Sequence, residues 1–248
     1  MEQRKLKKEG LIFGNAKGIL SMANAQQRLL SETENIEYWN EFYKTVKIQE
    51  ESTFCTLIKN TINNNAIILD IGCGSGRDAF SFARDGFEVV GVDRSEEAIK
   101  LNEVLKENIH FNDLKIKFQV VDIADEQGLG EIVKSVSQLA TNENKKLVVY
   151  VRFLLHSINE TTEKVLLSTI SKYLKKGDYL ASEFRTIEDQ KLHKIYDNHY
   201  RRFIVSEDLL SDLENKYDFN KVLFTKGTGL SIYNNEDPYL GRIIMEKN

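Results

Sequence analysis

Two rhythms of apolar and polar positions alternate along the chain. Short apolar runs, AIILDI (66–71), FEVVGVD (87–93), IKFQVVD (116–122), LVVYVRF (147–153) and a fifth near 178–184, have the length and β-branched content of buried strands. Between them, apolar residues recur three or four positions apart. That spacing predicts helices at about 77–85, 95–108, 126–140 and from Asn159 or Thr161 to Tyr173. Ser95 reads as an N-cap, with acids in the turn behind it. Upstream, residues 21–62 predict helix, with Tyr38, Trp39, Phe42, Tyr43 and Val46 on one face and a last piece, about 51–62, stopping at NNNA (63–66). Downstream, helical pieces at 188–199 and 206–215 precede FNKVLFTKG and YLGRIIMEK, which read as a closing hairpin.

Strand and helix alternating over five strands predict an α/β fold: a doubly wound, mainly parallel seven-stranded sheet with helices on both faces and a closing antiparallel hairpin. Right-handed crossovers put the strand C-termini on one edge, where ligands of such sheets sit. Residues 1–36 read as an N-terminal arm. Residues 37–248 read as one domain, with a substrate-cover segment around 186–216.

The 248 residues, 41% hydrophobic, suit one sizeable core. A formal charge of −4 argues against a chain whose main task is gripping nucleic-acid phosphates. Two cysteines, Cys55 and Cys73, make no disulfide framework, and no window is apolar enough for a membrane span. Arg4, Lys5, Lys7 and Lys8 precede LIFGNAKGILSMANA, whose end has the A-x-A form of a cleavage site. Asn15 and Lys17 interrupt its apolar part, so it reads as an arm packed on the domain or on a partner subunit of a homodimer rather than as a secretory leader. The expected location is the cytoplasm.

The candidate chemistry centres on Gly72-Cys73-Gly74-Ser75-Gly76, between the first strand and its helix. Glycine permits positive φ and lets a ligand approach the main chain, and the following helix N-terminus offers unpaired N–H groups. A plain βα turn would use the same residues. Three acids sharpen the choice. Asp70 lies beside the loop, Asp93 ends the second strand where it can accept from a ribose diol, and Asp122 ends the third, where it can accept from a base amino group. A nucleoside is the simplest ligand. The dehydrogenase fingerprint G-x-G-x-x-G is not met, because the third glycine comes one residue early and Arg77 stands in its place.

DIGCGSGRDA, VVGVDRS and VVDIAD together resemble the S-adenosylmethionine-dependent methyltransferases of the Rossmann-like class, over roughly residues 37–185. IEYWNEFYK resembles the leading helix of their small-molecule members of the thiopurine and tellurite-resistance type. The resemblance implies that the Gly72, Cys73, Gly74 and Gly76 backbone faces the methionine and ribose portions of S-adenosyl-L-methionine. It implies that Asp70 orients the amino-acid part, Asp93 holds the ribose, Asp122 and the Ile123 backbone meet the adenine, Arg94 lies along it, and Arg77 and Arg152 stand beside the cofactor. YVRFLLHSI fills the substrate-facing place but lacks the Asn/Asp-Pro-Pro-aromatic motif of enzymes acting on nucleic-acid amino groups. Cys73 reads as small-residue packing inside the loop, since no basic partner is placed beside it.

Arg152, His156, Glu183 and Tyr43 form the candidate catalytic set. Arg152 in so apolar a strand either pairs with a strand-end acid or touches ligand. His156 is either a general base or a satisfied histidine. Tyr38, Arg185, His199, Tyr200, Arg201 and Arg202 form the candidate substrate set. The crowding in YDNHYRRF fits either an exposed charged helix end or an anion pocket for phosphate or carboxylate. Tyr38, Trp39 and Tyr43 either pack on the core or close over the cofactor. No metal-ligand spacing is present. The expected function is methyl transfer to N or O of a small polar metabolite, with or without a phosphate. A protein or RNA methyltransferase, a non-catalytic cofactor-binding module and a nucleotide-sugar or nicotinamide enzyme are the competing readings.

Overall fold

The computed structural model describes residues 50–107, 114–192, 194 and 200–248. The arm, the aromatic face with Tyr38 and Tyr43, and His199 lie outside the described residues. The chain runs α1 (Thr53–Thr61), β1 (Ala66–Ile71), α2 (Arg77–Arg84), β2 (Glu88–Asp93), α3 (Glu96–Glu107), β3 (Ile116–Val120), α4 (Glu126–Asn142), β4 (Lys146–Arg152), α5 (Glu160–Tyr173), β5 (Tyr179–Arg185), α6 (Ser206–Asn215), β6 (Phe219–Gly227) and β7 (Leu240–Lys247). The sheet order is β3-β2-β1-β4-β5-β7-β6. β1 to β5 pair in parallel, and β7 runs antiparallel between β5 and β6. The expected architecture is therefore present. The order reverses between β1 and β4, which opens a crevice beside the end of β1.

Alternation along each strand divides the core in two. Ile67, Leu69, Ile71, Val90, Val92, Val149 and Val151 join Leu129 and Val133 of α4, Leu166 and Ile170 of α5 and Leu213 of α6 on one face. Ile68, Val89, Phe118, Val148, Tyr150, Ala181 and Ile244 meet Phe54 and Ile58 of α1, Phe80 and Phe82 of α2 and Ile99 of α3 on the other. Asp70, Asp93, Arg152, Glu183 and Arg242 continue this second face to the strand C-terminal edge, where apolar side chains give way to charged ones.

The helices start where local chemistry directs. The Ser95 hydroxyl accepts from the Ala98 N–H at 3.2 Å, and the Asn159 side chain, rather than Thr161, caps α5 by accepting from Thr162 N at 2.8 Å. Three expectations are corrected. The third strand ends at Val120, not 122, because β2 pairing stops at Asp93↔Val120. Asp122 then folds into a turn, its Oδ1 accepting from Ala124 N at 2.9 Å and its carbonyl from Asp125 N at 3.0 Å. The fourth strand ends at Arg152, since Phe153 has φ +55° and leaves the ladder. Where a helix over 188–199 was expected, a 3-10 turn spans Ile187–Lys191; part of that range lies outside the described residues.

Gly91 in β2 is required by packing. A Cβ there would sit 2.7 Å from the Phe118 ring and 3.2 Å from Cys73 Sγ. Gly91→Ala is expected to cost about 1–2 kcal/mol of stability through overpacking. Urea unfolding should show this, and Phe118→Leu in the same background should recover part of the loss.

Candidate functional site

The β1–α2 loop carries three left-handed glycines, Gly72, Gly74 and Gly76. Its amides are largely satisfied within the protein. Gly72 N and Cys73 N both donate to the Val92 carbonyl, at 2.8 and 3.0 Å, and Gly76 N donates to the Cys73 carbonyl at 3.0 Å. Gly74 N donates to Asp93 Oδ2 at 2.9 Å, while Asp93 Oδ1 accepts from Ser95 N at 2.9 Å. The carboxylate that ends β2 is thus fixed by one backbone bond on each oxygen. Each oxygen keeps a second lone-pair direction for a ligand hydroxyl. Burial raises the Asp93 pKa, and the bonds from Ser95 and Gly74 oppose the shift.

Asp70 is buried at the end of β1, and its carboxylate makes no hydrogen bond to any described residue. Burial, then the neighbouring Asp78 and Asp93 charges, pushes its pKa well up, with Arg152 pulling the other way. Asp78, in the first turn of α2, has both oxygens occupied. Oδ1 accepts from Ser52 N at 2.8 Å, and Oδ2 from Ser52 Oγ and Tyr150 Oη, each at 2.7 Å. The Ser52 hydroxyl in turn accepts from Cys55 N at 3.0 Å and caps α1. One triangle of polar groups therefore joins α1, α2 and β4.

A row of charges crosses the next three strands. The register pairs Arg152 with Glu183 and Glu183 with Arg242. Arg152 Nε donates to Glu183 Oε1 at 2.9 Å, and Arg242 Nε to Oε2 at 2.5 Å, with Glu183 fully buried. Burial opposes charge on Arg152, but Glu183 and Asp78 outweigh it and hold the guanidinium's proton more firmly than usual. The same arginines fasten the β6–β7 connection over the sheet edge. Arg152 Nη2 reaches Ser231 Oγ at 3.1 Å, and Arg242 Nη2 reaches the Leu230 carbonyl and Thr53 Oγ1, each at 2.6 Å. Arg185 pairs with Asp189 at 2.8 Å and with Glu236. Neither Arg242 nor residues 228–239 stood out in the sequence.

The other candidates fall in different places. Arg77 is half-buried, donating to the carbonyls of Glu50 and, at 3.2 Å, Glu51; burial and the neighbouring Arg152 lower its pKa. Arg94 is half-buried at the end of β2, Ile123 is buried in the core, and Asp122 is exposed in its turn. Cys73 is buried, and burial with Asp70 and Asp93 drives its pKa well up, so the thiol is inert. His156, buried in a short 3-10 turn after β4, accepts at Nδ1 from Arg185 N at 3.2 Å. A neutral ring so engaged carries its proton on Nε2. Arg202 binds the same turn, through the carbonyls of Leu155 at 3.2 Å and Ile158 at 2.7 Å, and pairs with Glu163. Tyr200 and Arg201 are half-buried beside it.

Comparison with known proteins bears on this arrangement. The family described as "Methyltransferase domain" matches residues 62–218, more than half of the chain. The chain belongs to the methyltransferase family. It is an S-adenosylmethionine-dependent methyltransferase. No curated protein matches it. Among solved structures, an S-adenosylmethionine-dependent methyltransferase from Anabaena variabilis is 17% identical, with TM-score 0.61, over 86% of this chain and 93% of that one. TehB from Haemophilus influenzae is 15% identical, with TM-score 0.58, over 86% and 66%. The glycopeptide N-methyltransferase MtfA is 12% identical, with TM-score 0.59, over 81% and 98%. At these identities the likeness is one of fold.

The residues of this methyltransferase fit its cofactor on one observation. Asp70 is a buried acid without a hydrogen-bonding partner, next to two further acids, and a cationic ligand would complete it. Among the described residues no helix is long and apolar enough to cross a membrane.

The raised carboxyls have a measurable consequence. Their folded-state pKa values lie above the unfolded ones, so between about 3.9 and the raised values the folded chain holds more protons and stability falls as pH rises. Asp70→Asn removes one such group. In the cofactor-free enzyme the variant is expected to be more stable than wild type at about pH 8, by a margin that shrinks toward about pH 5. Urea midpoints of both proteins across that range test the sign.

Proposed function

We propose that this enzyme methylates N or O of a small polar metabolite in the cytoplasm, as one domain over residues 37–248. The observation that carries the reading is the pairing of charge at the sheet edge. Arg152 and Arg242 hold Glu183, Arg185 holds Asp189 and Glu236, and Arg202 holds Glu163 and two carbonyls. These guanidinium forks already have partners, so neither a basic stripe for RNA nor a phosphate-binding pocket is supported by them. The 228–239 connection, tied to Arg152, Arg242 and Arg185, crosses the ends of β4, β5 and β7 and favours a small acceptor over a polymer. The two free, buried cysteines suit a reducing compartment.

S-adenosylmethionine supplies a methyl group on a sulfonium, whose departure leaves a neutral thioether. The tasks left to the chain are alignment and exclusion of water. In this reading the glycine-loop backbone seats the amino-acid part, Asp70 faces its cationic groups and Asp93 receives the ribose hydroxyls. Asp122 reaches the adenine from its turn by a side-chain rotation. Arg152 positions rather than reacts, since its donors are engaged by Glu183 and Ser231. His156 holds the β4–α5 turn by accepting from Arg185 N, and the nucleophile sheds its proton to water.

Asp93→Ala is expected to weaken S-adenosylhomocysteine binding by about 1–3 kcal/mol, because a buried diol loses its charged acceptor; calorimetric binding equal to wild type would remove the ribose role. For the acceptor, a metabolite extract incubated with enzyme and isotopically labelled methyl donor should gain one labelled methyl on a defined small species. Label appearing only in RNA or protein would overturn the small-molecule reading.

A further inference from the structure

Asn102 sits in the middle of α3, wholly buried among apolar side chains. Its Nδ2 donates to the Gly74 carbonyl at 2.8 Å and lies 3.9 Å from Cys73 Sγ. Its Oδ1 is buried without a hydrogen-bond partner. A Cβ on Gly76 would stand 2.7 Å from that oxygen. A residue serving only to fill this space would be apolar, since a buried acceptor left unmade is costly. What the amide gains is a hold on one peptide plane.

That plane is the one joining Gly74 to Ser75. In a trans peptide the C=O and the following N–H point in opposite directions. With the Gly74 carbonyl held toward α3, the Ser75 N–H is aimed away from it. Gly72, Cys73, Gly74 and Gly76 all donate their amides inside the protein. Ser75 N–H is the loop amide with no acceptor among the described residues. Gly74, at φ +51°, has no side chain to resist rotation of the plane, so restraint must come from outside.

We infer that Asn102 is a positioning residue for cofactor binding: it locks the Gly74–Ser75 peptide so that the Ser75 N–H faces the ligand before the ligand arrives. Asp93 holds the N–H of Gly74 and Asn102 holds its carbonyl, so the residue is gripped from both sides. Preorganisation of this kind raises affinity by removing an ordering cost from the binding step.

The test uses the full chain and S-adenosylhomocysteine as the probe, read by calorimetry beside thermal unfolding of the free protein. Asn102→Ala is expected to bind about tenfold more weakly while still unfolding cooperatively, since the loss of the orphan oxygen offsets part of the cost of the cavity and of the Gly74 carbonyl left without its donor. Asn102→Asp gives an independent reading that a packing role would not give. Ionised, the carboxylate repels the Gly74 carbonyl; protonated, it donates to it. Its affinity relative to wild type should therefore be poor at about pH 8 and recover toward about pH 5. Affinity within twofold of wild type in folded Asn102→Ala overturns the proposal. So does a ratio of Asn102→Asp to wild-type affinity that stays flat with pH, which decides the matter if the alanine variant does not fold.

Discussion

Charge brought out of water at the strand C-termini is the constraint on which this structure depends. Glu183 is fully buried, and an unpaired carboxylate there would cost several kcal/mol. Arg152 and Arg242 meet it from the flanking strands because the β4–β5–β7 register sets all three side chains in one row. Their remaining donors then have to be satisfied, and they reach Ser231, Leu230 and Thr53. In this way one buried carboxylate fixes the position of the β6–β7 connection and the start of α1. The row is a scaffold of two guanidiniums on one carboxylate, and Asp78, 3.8 Å from Arg152 Nε, offsets the remaining positive charge.

Cancellation is not complete across the crevice. Asp78 is satisfied by Ser52 and Tyr150, but Asp70 and Asp93 lie close by, with Arg152 opposing the raised pKa of Asp70. The surplus is negative and sits beside the glycine loop. S-adenosylmethionine brings a sulfonium and an ammonium against one carboxylate, so its net charge matches the deficit. Attraction between such groups in a partly desolvated crevice is several-fold stronger than in water. Incompletely neutralised acids thus lie beside the glycine loop, and arginines with carboxylate partners lie along the ends of β4, β5 and β7.

Much of this was legible in the sequence because it is local. Apolar runs marked the five parallel strands, Ser95 and Asn159 marked helix starts, and the glycine turn and Asp93, which are hydrogen-bonded to each other, were both singled out. What escaped is non-local. An anion pocket was one of two readings of YDNHYRRF because the partner of Arg202, Glu163, lies 39 residues away in the chain, and the partner of Arg185, Glu236, lies 51 residues away. Asp78 was not singled out in the sequence, yet it closes a hydrogen-bonded triangle with Ser52 and Tyr150. Asn102 falls within an ordinary amphipathic pattern, and only the packing of α3 behind the loop distinguishes it. The insertion of β7 between β5 and β6 likewise depends on pairing that no single run of residues records.

Several of the costs left standing in the free protein gather at one loop, while others, such as buried Glu188 Oε2 and Ser206 Oγ and the left-handed Phe153, lie elsewhere. Among the described residues Asp70 is buried without a hydrogen-bond donor, Asp93 is held above its ordinary pKa, Asn102 Oδ1 has no donor and three glycines hold left-handed backbone. All belong to the loop between β1 and α2 or touch it, while the rest of the second core face is apolar and well packed. Local destabilisation so concentrated is what a preformed site produces, since groups kept ready for a ligand cannot also be satisfied by the protein. The ligand that answers them binds the folded chain alone, so its binding free energy adds to stability in proportion to occupancy. If the cofactor binds at the glycine loop, as proposed, its binding free energy offsets the costs gathered there.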